Sequence, residues 1–225
     1  MTSEAPPRRW PFGIAQTLVL ALVLCLAAGA VGWHLGQRDG AESFNDADAG
    51  FLADMTVHHN GAVSLGLDYL AVQHDLLVSH YAREIVTGQS AEMAMMNLLI
   101  DDAGSPAIAT DDVVMEWMGM PTDVADMPGM ATEADFTALR AARGVAADDV
   151  FTRLMIVHHA AGIAMAEQAM VDGRNPRVHR LASTIATVQR TEIAQMNRRR
   201  VELGLPTVDW SDTSGAMTQP MAHGH

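Results

Sequence analysis

Two pairs of adjacent histidines, His58-His59 and His158-His159, are the residues of this sequence whose types and spacing could do chemistry. Each pair ends a segment that begins with methionine, MTVHH in the first case and MIVHH in the second. Imidazole and thioether groups together form a ligand set for transition metals, and soft thioethers favour copper(I). Because the segment recurs 100 residues later, the sequence predicts two copies of one metal-binding element.

The same offset continues along the chain beyond the histidines. The candidate ligands of the first copy recur in the second: Met55, His58, His59, Gln89, Glu92 and Met96 correspond to Met155, His158, His159, Gln189, Glu192 and Met196. On helices of 3.6 residues per turn these side chains fall on apolar faces, which directs them toward a protein interior. A buried carboxylate is costly unless it is paired or metal-bound, so we expect an interior metal site. Asp54, one turn before His58, is expected to orient the ring of that histidine.

Histidines on an apolar helix face also have a second interpretation. Pairs of imidazole and carboxylate groups between helices can serve as packing devices that hold no metal. The duplication of both the HH and the QxxE patterns favours the metal site, because packing alone rarely requires adjacent interior histidines.

Two pairs of helices would position these residues. Apolar periodicity and turn signals predict helices over residues 46–72 and 76–103 in the first copy, and over 147–171 and 176–203 in the second. No run shows the strict alternation of a strand, so no sheet is expected. Two such hairpins cannot each bury an apolar face alone. The sequence therefore predicts an all-α fold, a four-helix bundle of two repeated hairpins.

A linker and a tail complete this domain. Repeat 1 spans about residues 46–103, the linker 104–131, and repeat 2 about 132–204 with a short helix over 132–143. The tail, residues 205–225, is polar and is expected to be flexible. The linker is rich in methionines, which are candidate accessory copper ligands or, alternatively, gap fillers in an apolar lid: Met115, Met118, Met120, Met127 and Met130.

An uncharged run of twenty residues from Ile14 to Trp33 precedes the bundle. At about 1.5 Å per residue it spans roughly 30 Å, the thickness of the hydrocarbon core of a bilayer. The positive-inside tendency then predicts a cytoplasmic segment at residues 1–11, a transmembrane anchor at 12–35 and an extracytoplasmic domain in the plasma membrane. The alternative is a cleaved signal peptide and a secreted protein, although the run exceeds a usual signal core.

Composition and charge exclude several classes of function. A net charge of -13 with no lysine is a poor match for the phosphate backbone of a nucleic acid. The single cysteine, Cys25, excludes an intramolecular disulfide and a thiolate-cluster metal site. The sequence shows no nucleophilic triad, phosphate loop or dinucleotide fingerprint, so it favours binding over catalysis.

The segments MTVHHNGAV and MIVHHAAGI are each followed, 30 residues after the second histidine, by the pattern QxxExxxM. These motifs resemble the duplicated DUF305 domain over residues 44–204. The resemblance implies a ferritin-like four-helix bundle in a bacterial protein that is secreted or membrane-anchored, and some members of the family are implicated in binding copper outside the cytoplasm. In one departure from the family pattern, Asp54 is matched by Leu154, so the second site is expected to be less well oriented.

Together these features predict a membrane-anchored extracytoplasmic protein that binds copper or another transition metal for sequestration, buffering or delivery. Its expected partners are the metal ion and the lipid bilayer, with no nucleic acid. Two alternatives remain open, a helical interaction module of the cell envelope without metal and a metal-dependent redox enzyme. The enzyme is the weaker alternative, because no core histidine follows a glutamate by three residues as in di-iron bundles.

Overall fold

Five α-helices make up most of the computed structural model, which describes residues 43–104 and 113–211. They are α1 (Asp46–Val72), α2 (Leu76–Ala103), α3 (Glu133–Ala141), α4 (Val145–Asp172) and α5 (Pro176–Glu202). The predicted hairpins are therefore confirmed as α1–α2 and α4–α5. The predicted anchor at residues 12–35, part of the linker at 105–112 and the end of the tail at 212–225 lie outside the described residues.

Side-chain caps explain where the helices begin. Asn45 and Asp48 form a reciprocal pair at the start of α1, in which each side chain accepts a hydrogen bond from the backbone N–H of the other. Asp75 accepts hydrogen bonds from two backbone N–H groups in the first turn of α2. Asn175 caps α5, which has proline at its first position. Such caps contribute about 1 kcal/mol each, and they fix the short turns between paired helices.

The helices α1 and α4 form the centre of a four-helix bundle. They pack against each other, while α2 packs against α1 and α5 packs against α4. The two central helices are antiparallel, because residues near the start of α1 share an apolar cluster with residues near the end of α4. The short helix α3 lies against both of them. This arrangement is the predicted bundle of two repeated hairpins.

Two apolar clusters fill the interior of the bundle. The first joins the start of α1 to the end of α4 and contains Phe51 and Met55. The second joins the end of α1 to the start of α4 and contains Tyr69 and Phe151, whose rings stack with centroids 4.4 Å apart. Along α1, the histidine pair falls between Met55 of the first cluster and Ala62 of the second. A polar layer therefore separates two apolar cores.

The linker contains a short β-ribbon, so the expectation of no sheet is wrong. Strand β1 (Val113–Val114) pairs antiparallel with β2 (Thr122–Asp123). Strands of two residues are too short to produce a recognisable alternation, which is why the apolar pattern did not reveal them. The ribbon carries Met115 and Met127 onto the first apolar cluster, where both side chains are buried.

Among the described residues, one helix is long and apolar enough to cross a membrane, and this helix is α4. Of its most apolar window, 67% is buried inside the bundle. The central position of α4 among the other helices therefore accounts for its hydrophobicity.

Candidate metal centre

The two central helices bring the predicted histidine pairs together in the middle of the bundle. The rings of His58 on α1 and His158 on α4 are stacked, with centroids 3.8 Å apart and planes 18° apart. The ring of His159 lies next to them, with its centroid 6.2 Å from that of His158. These three residues and His59 are each no more than 2% exposed. Residues that are 100 positions apart in the sequence thus form one buried group of imidazoles.

His59 and His159, the outer histidines of the group, are each paired with a glutamate of their own repeat. The Nε2 atom of His59 lies 2.8 Å from Glu92 Oε2, and that of His159 lies 2.7 Å from Glu192 Oε2. Both glutamates are predicted site residues, and their side chains remain 18–19% exposed. A carboxylate can only accept a hydrogen bond, so the facing nitrogen carries a hydrogen, and in the neutral form of the ring Nδ1 is the atom with the lone pair.

The stacked histidines are instead bonded by the linker. The carbonyl oxygen of Pro128 accepts from Nε2 of His58 at 3.3 Å, and that of Gly129 accepts from Nδ1 of His158 at 3.1 Å. These contacts were not expected from the sequence, because they join residues that are 70 and 29 positions apart. Backbone carbonyl groups carry no signature of side-chain type, so no residue pattern could have revealed them.

One nitrogen on each of the four buried rings has no hydrogen-bond partner. These atoms are His58 Nδ1, His59 Nδ1, His158 Nε2 and His159 Nδ1. A buried polar atom without a partner costs about 1–3 kcal/mol. The same atoms are the lone-pair nitrogens through which neutral imidazole binds transition metals. The orphaned nitrogens therefore fit a metal ion that takes imidazole ligands.

Burial keeps the two stacked rings neutral. Burial first, and the neighbouring His59 second, lower the pKa of His58 from 6.5 to about 3. Burial, followed by the neighbouring imidazoles, also holds the pKa of His158 well below its usual range. Because a metal competes with a proton for the same lone pair, a low imidazole pKa keeps that lone pair available at neutral pH.

The two predicted glutamines lie near this group and also lack partners. Gln89 and Gln189 are 4% and 2% exposed, and neither the oxygen nor the nitrogen of either amide has a hydrogen-bond partner. Gln189 fits against α4 because position 162 is glycine, where a Cβ atom would lie only 2.5 Å from Gln189 Oε1. Both amides therefore add unsatisfied polar groups to the same interior.

The predicted methionine ligands lie on either side of the polar layer. Met55 and Met96 belong to the first apolar cluster, and Met155 and Met196 belong to the second. All four are fully buried. In the described part of the chain, no three His, Cys, Asp or Glu side chains converge closely enough to hold an ion. The structure therefore assembles pairs of donors, His with Glu and His with His, and flanks them with thioethers.

The five linker methionines pack over the first apolar cluster, as expected for the lid that was one of their two interpretations. Met115 and Met127 are buried, and the other three, Met118, Met120 and Met130, are partly buried against the same cluster. Met130 lies near the ring of His158. Its sulfur is 2.9 Å from the point where a Cβ atom on Gly61 would sit, and Cε1 of His158 is 3.5 Å from the same point.

Asp54 does not orient His58 as the sequence suggested. Its Oδ2 atom accepts hydrogen bonds from the backbone N–H of Met115 at 2.7 Å and from Nε1 of Trp117 at 2.8 Å. Nδ1 of His58 has no partner, and its Nε2 faces Pro128. The helix directs Asp54 toward the linker, so this carboxylate holds the lid and not the ring. The chain has one such linker, so only one repeat needs a carboxylate at this position. This gives a physical reason why the residue that corresponds to Asp54 in the second repeat is the apolar Leu154.

Two further carboxylates, Asp48 and Asp148, occupy the same position in the two repeats and have structural roles that the sequence analysis did not predict. Asp48 accepts hydrogen bonds from the backbone N–H groups of Arg174 and Asn175, in the turn of the second repeat. Asp148 accepts from the hydroxyl of Tyr69 at 2.6 Å and from groups in the turn of the first repeat. Both carboxylates are fully buried. Each repeat therefore caps the turn of the other.

The fold and the imidazole group define a helical-bundle protein with a candidate metal centre between two repeated hairpins. The chain belongs to the DUF305 family, a domain of unknown function, which matches residues 48–200. No curated protein matches the sequence.

Several solved structures are similar to this chain. A DUF305 protein from Streptomyces coelicolor, described as secreted, is 32% identical with a TM-score of 0.66 over 72% of this chain and 96% of that one. A DUF305 fragment from Deinococcus radiodurans is 29% identical with a TM-score of 0.60 over 72% and 98%. CopM in its Cu(I)-bound form is 24% identical with a TM-score of 0.53 over 69% and 96%, a likeness that shows the shared fold.

Proposed function

We propose that this protein binds copper in the middle of its bundle, through the imidazoles of His58, His59, His158 and His159. The observation that carries the proposal is the set of four buried ring nitrogens, one on each histidine, that have no hydrogen-bond partner. An orphaned buried ring nitrogen is destabilising, so four of them in one group favour a bound ligand over a role in packing alone.

The donor set supports copper over harder ions. Neutral imidazole suits copper, zinc, iron and nickel, while buried thioethers shift the preference toward copper(I). The two glutamates hold the outer rings through Nε2, and a carboxylate on that nitrogen raises the basicity of the other. The described side chains bring donors together in pairs and not in groups of three. Their rotamers would therefore change around a bound ion to complete its ligand set. The similar bundle of CopM has been solved with Cu(I), Cu(II) and silver, which agrees with this choice of metal.

The role that fits this arrangement is sequestration, buffering or delivery of copper as cargo. The interior offers a group of buried imidazoles as ligands for a metal ion. Exclusion of water by two apolar cores would favour retention of Cu(I). The linker methionines add soft donors at the edge of the site, where an arriving ion would first be bound.

The proposed location is the outer face of the plasma membrane. The uncharged run from Ile14 to Trp33 is the proposed anchor, and the acidic domain that follows would attract cations. This topology is supported if the protein stays in the membrane pellet after carbonate extraction and if protease added to intact cells digests the domain. A protein that carbonate releases into the supernatant, and that protease added to intact cells does not digest, would contradict it.

Titration of the full chain with Cu(I) in detergent tests the metal site. The variants His58→Ala/His59→Ala and His158→Ala/His159→Ala are each expected to lose bound copper. His80→Ala is the matched control, because that ring is 59% exposed on the surface of α2. If both double variants bind copper with the stoichiometry and affinity of the parent, the bundle interior is not the site and the histidines are structural.

A second set of variants separates the interior from the linker. Replacing the five linker methionines by leucine conserves their volume and removes their sulfur atoms. We expect the interior copper to remain and any additional, weaker copper to be lost. Loss of all copper in this variant alone would move the site to the linker.

A further inference from the structure

The linker crosses the two stacked histidines as a strap of three residues, Pro128 to Met130. Two consecutive carbonyl groups of this strap face the two rings, at 3.3 Å from Nε2 of His58 and 3.1 Å from Nδ1 of His158. The strap can come this close because Gly129 has no side chain and has a φ of +80°. A Cβ atom there would lie 2.7 Å from the Cβ of Ala161 and 3.0 Å from the Cα of His158.

The identity of the contacted nitrogen differs between the two rings. A carbonyl oxygen only accepts hydrogen bonds, so the nitrogen that faces it must carry the hydrogen. A neutral imidazole has one N–H and one lone pair. The lone pair therefore lies at Nδ1 in His58 and at Nε2 in His158, and these are the two ring atoms that lack a partner.

We propose that the strap holds the two stacked histidines in opposite tautomers and thereby presents one lone pair from each to the metal. This inference rests on the proposed copper site and makes Gly129 a positioning residue of that site. The two repeats are equivalent in their helices, but a single strap crosses their junction and contacts one ring through Nε2 and the other through Nδ1. The repeats consequently offer different donors.

The difference can be stated as pairs of donor atoms. In the first repeat, His58 and His59 both present Nδ1, whereas in the second, His158 presents Nε2 and His159 presents Nδ1. Because the outward reach of an imidazole differs between its two nitrogens, the two pairs set different distances between donors. The two repeats therefore approach a shared ion with different geometries, although their side chains are the same.

The tautomers can be observed without any metal. Long-range ¹H–¹⁵N correlation spectra of the metal-free full chain, labelled at histidine, distinguish a protonated ring nitrogen from one with a lone pair. We expect a proton on Nε2 of His58 and on Nδ1 of His158, with assignments from the single variants His58→Gln and His158→Gln. Identical tautomers at the two residues, or the reverse assignment, would overturn the proposal whether or not the protein binds copper.

The role of the strap is tested with a pair of glycine variants. Gly129→Ala should displace the strap, abolish the fixed tautomer of His158 and weaken Cu(I) binding by about 10- to 100-fold, the size of effect expected when a group that orients a metal-binding imidazole is lost. Gly119→Ala is the matched control. Gly119 has a similar φ of +69° but nothing within 4 Å of its Cβ position, so the variant carries the same backbone strain away from the rings.

The outcomes separate this inference from the function on which it rests. Equal copper affinity in Gly129→Ala and Gly119→Ala, with helical circular dichroism retained in both, would overturn the positioning role while leaving the histidine site intact. A copper affinity that survives both double-histidine replacements would overturn the proposed function and this inference with it. Opposite tautomers together with a selective loss of affinity in Gly129→Ala would support both.

Discussion

Acid should destabilise the metal-free protein, because the two stacked histidines are buried in their neutral form. Burial lowers the pKa of His58 from 6.5 to about 3, and it also lowers that of His158. The unfolded chain exposes both rings at their ordinary pKa. As the pH falls below 6.5, the unfolded state takes up protons that the folded state does not bind. The free energy of unfolding therefore decreases until the pH reaches the folded pKa near 3.

The size of the effect follows from the width of this window. Each pH unit within it removes about 1.4 kcal/mol for every histidine that is buried in the neutral form. For His58, whose pKa changes from 6.5 to about 3, the loss between pH 7 and pH 5 is about 2 kcal/mol. In a domain of this size, that loss lowers the midpoint of thermal unfolding by about 4–8 °C. His158 adds to the loss in the same direction.

Thermal unfolding followed by circular dichroism in chelated buffer at pH 7, 6 and 5 measures this dependence. His58→Gln removes one of the titrating groups, so the midpoint of the variant should depend less steeply on pH. His80→Gln removes a histidine that is 59% exposed and should leave the slope of the parent unchanged. A midpoint that stays constant or rises between pH 7 and pH 5 would refute the reasoning, because it would mean that the folded state binds these protons as well as the unfolded state.

Three other variants test the remaining contacts of the site and its supports. Asp148→Ala removes the acceptor of a buried tyrosine hydroxyl and should lower the free energy of unfolding in urea by about 3 kcal/mol; a loss below about 1 kcal/mol would contradict its capping role. Asp54→Ala removes the acceptor that holds the linker, so it should speed proteolytic cleavage between residues 113 and 130. Asp126→Ala, at an exposed position, should not change the cleavage rate. Equal rates in the two variants would argue against the anchoring hydrogen bonds of Asp54. Glu92→Gln removes the negative charge beside His59 and should weaken Cu(I) binding about 10-fold. Glu84→Gln, at an exposed position, is the control. An unchanged affinity in Glu92→Gln would show that the carboxylate does not affect metal binding by His59.

The sequence predicted the helices and their pairing because these depend on patterns that repeat. Apolar periodicity and capping residues mark where each helix begins, and the offset of 100 residues matches α1 with α4 and α2 with α5. The same offset identified the His and Glu residues that the structure places in contact. A feature that occurs twice at one spacing can be recognised in a single sequence, because residues that recur in both copies are unlikely to match by chance.

Features that occur once were not predictable in this way. The strap over the histidines acts through the carbonyl groups of Pro128 and Gly129, and a carbonyl group is present at every residue. Asp54 was assigned to His58 from helical spacing, but its carboxylate bonds to Trp117, 63 residues away, through a fold of the linker that no periodicity encodes. Long-range contacts of irregular segments therefore set the limit of what the sequence could predict about the site.

The crossed caps of Asp48 and Asp148 make each half of the bundle dependent on the other. A hairpin on its own would leave the N–H groups of its turn without the carboxylate that accepts from them, and the carboxylate at its own helix start would lose its donors in the other turn. Two identical hairpins related by a two-fold axis would satisfy both sets of bonds at once. The two repeats thus bond to each other as the subunits of a symmetric dimer would, while the one linker that crosses between them gives the two halves of the site different environments.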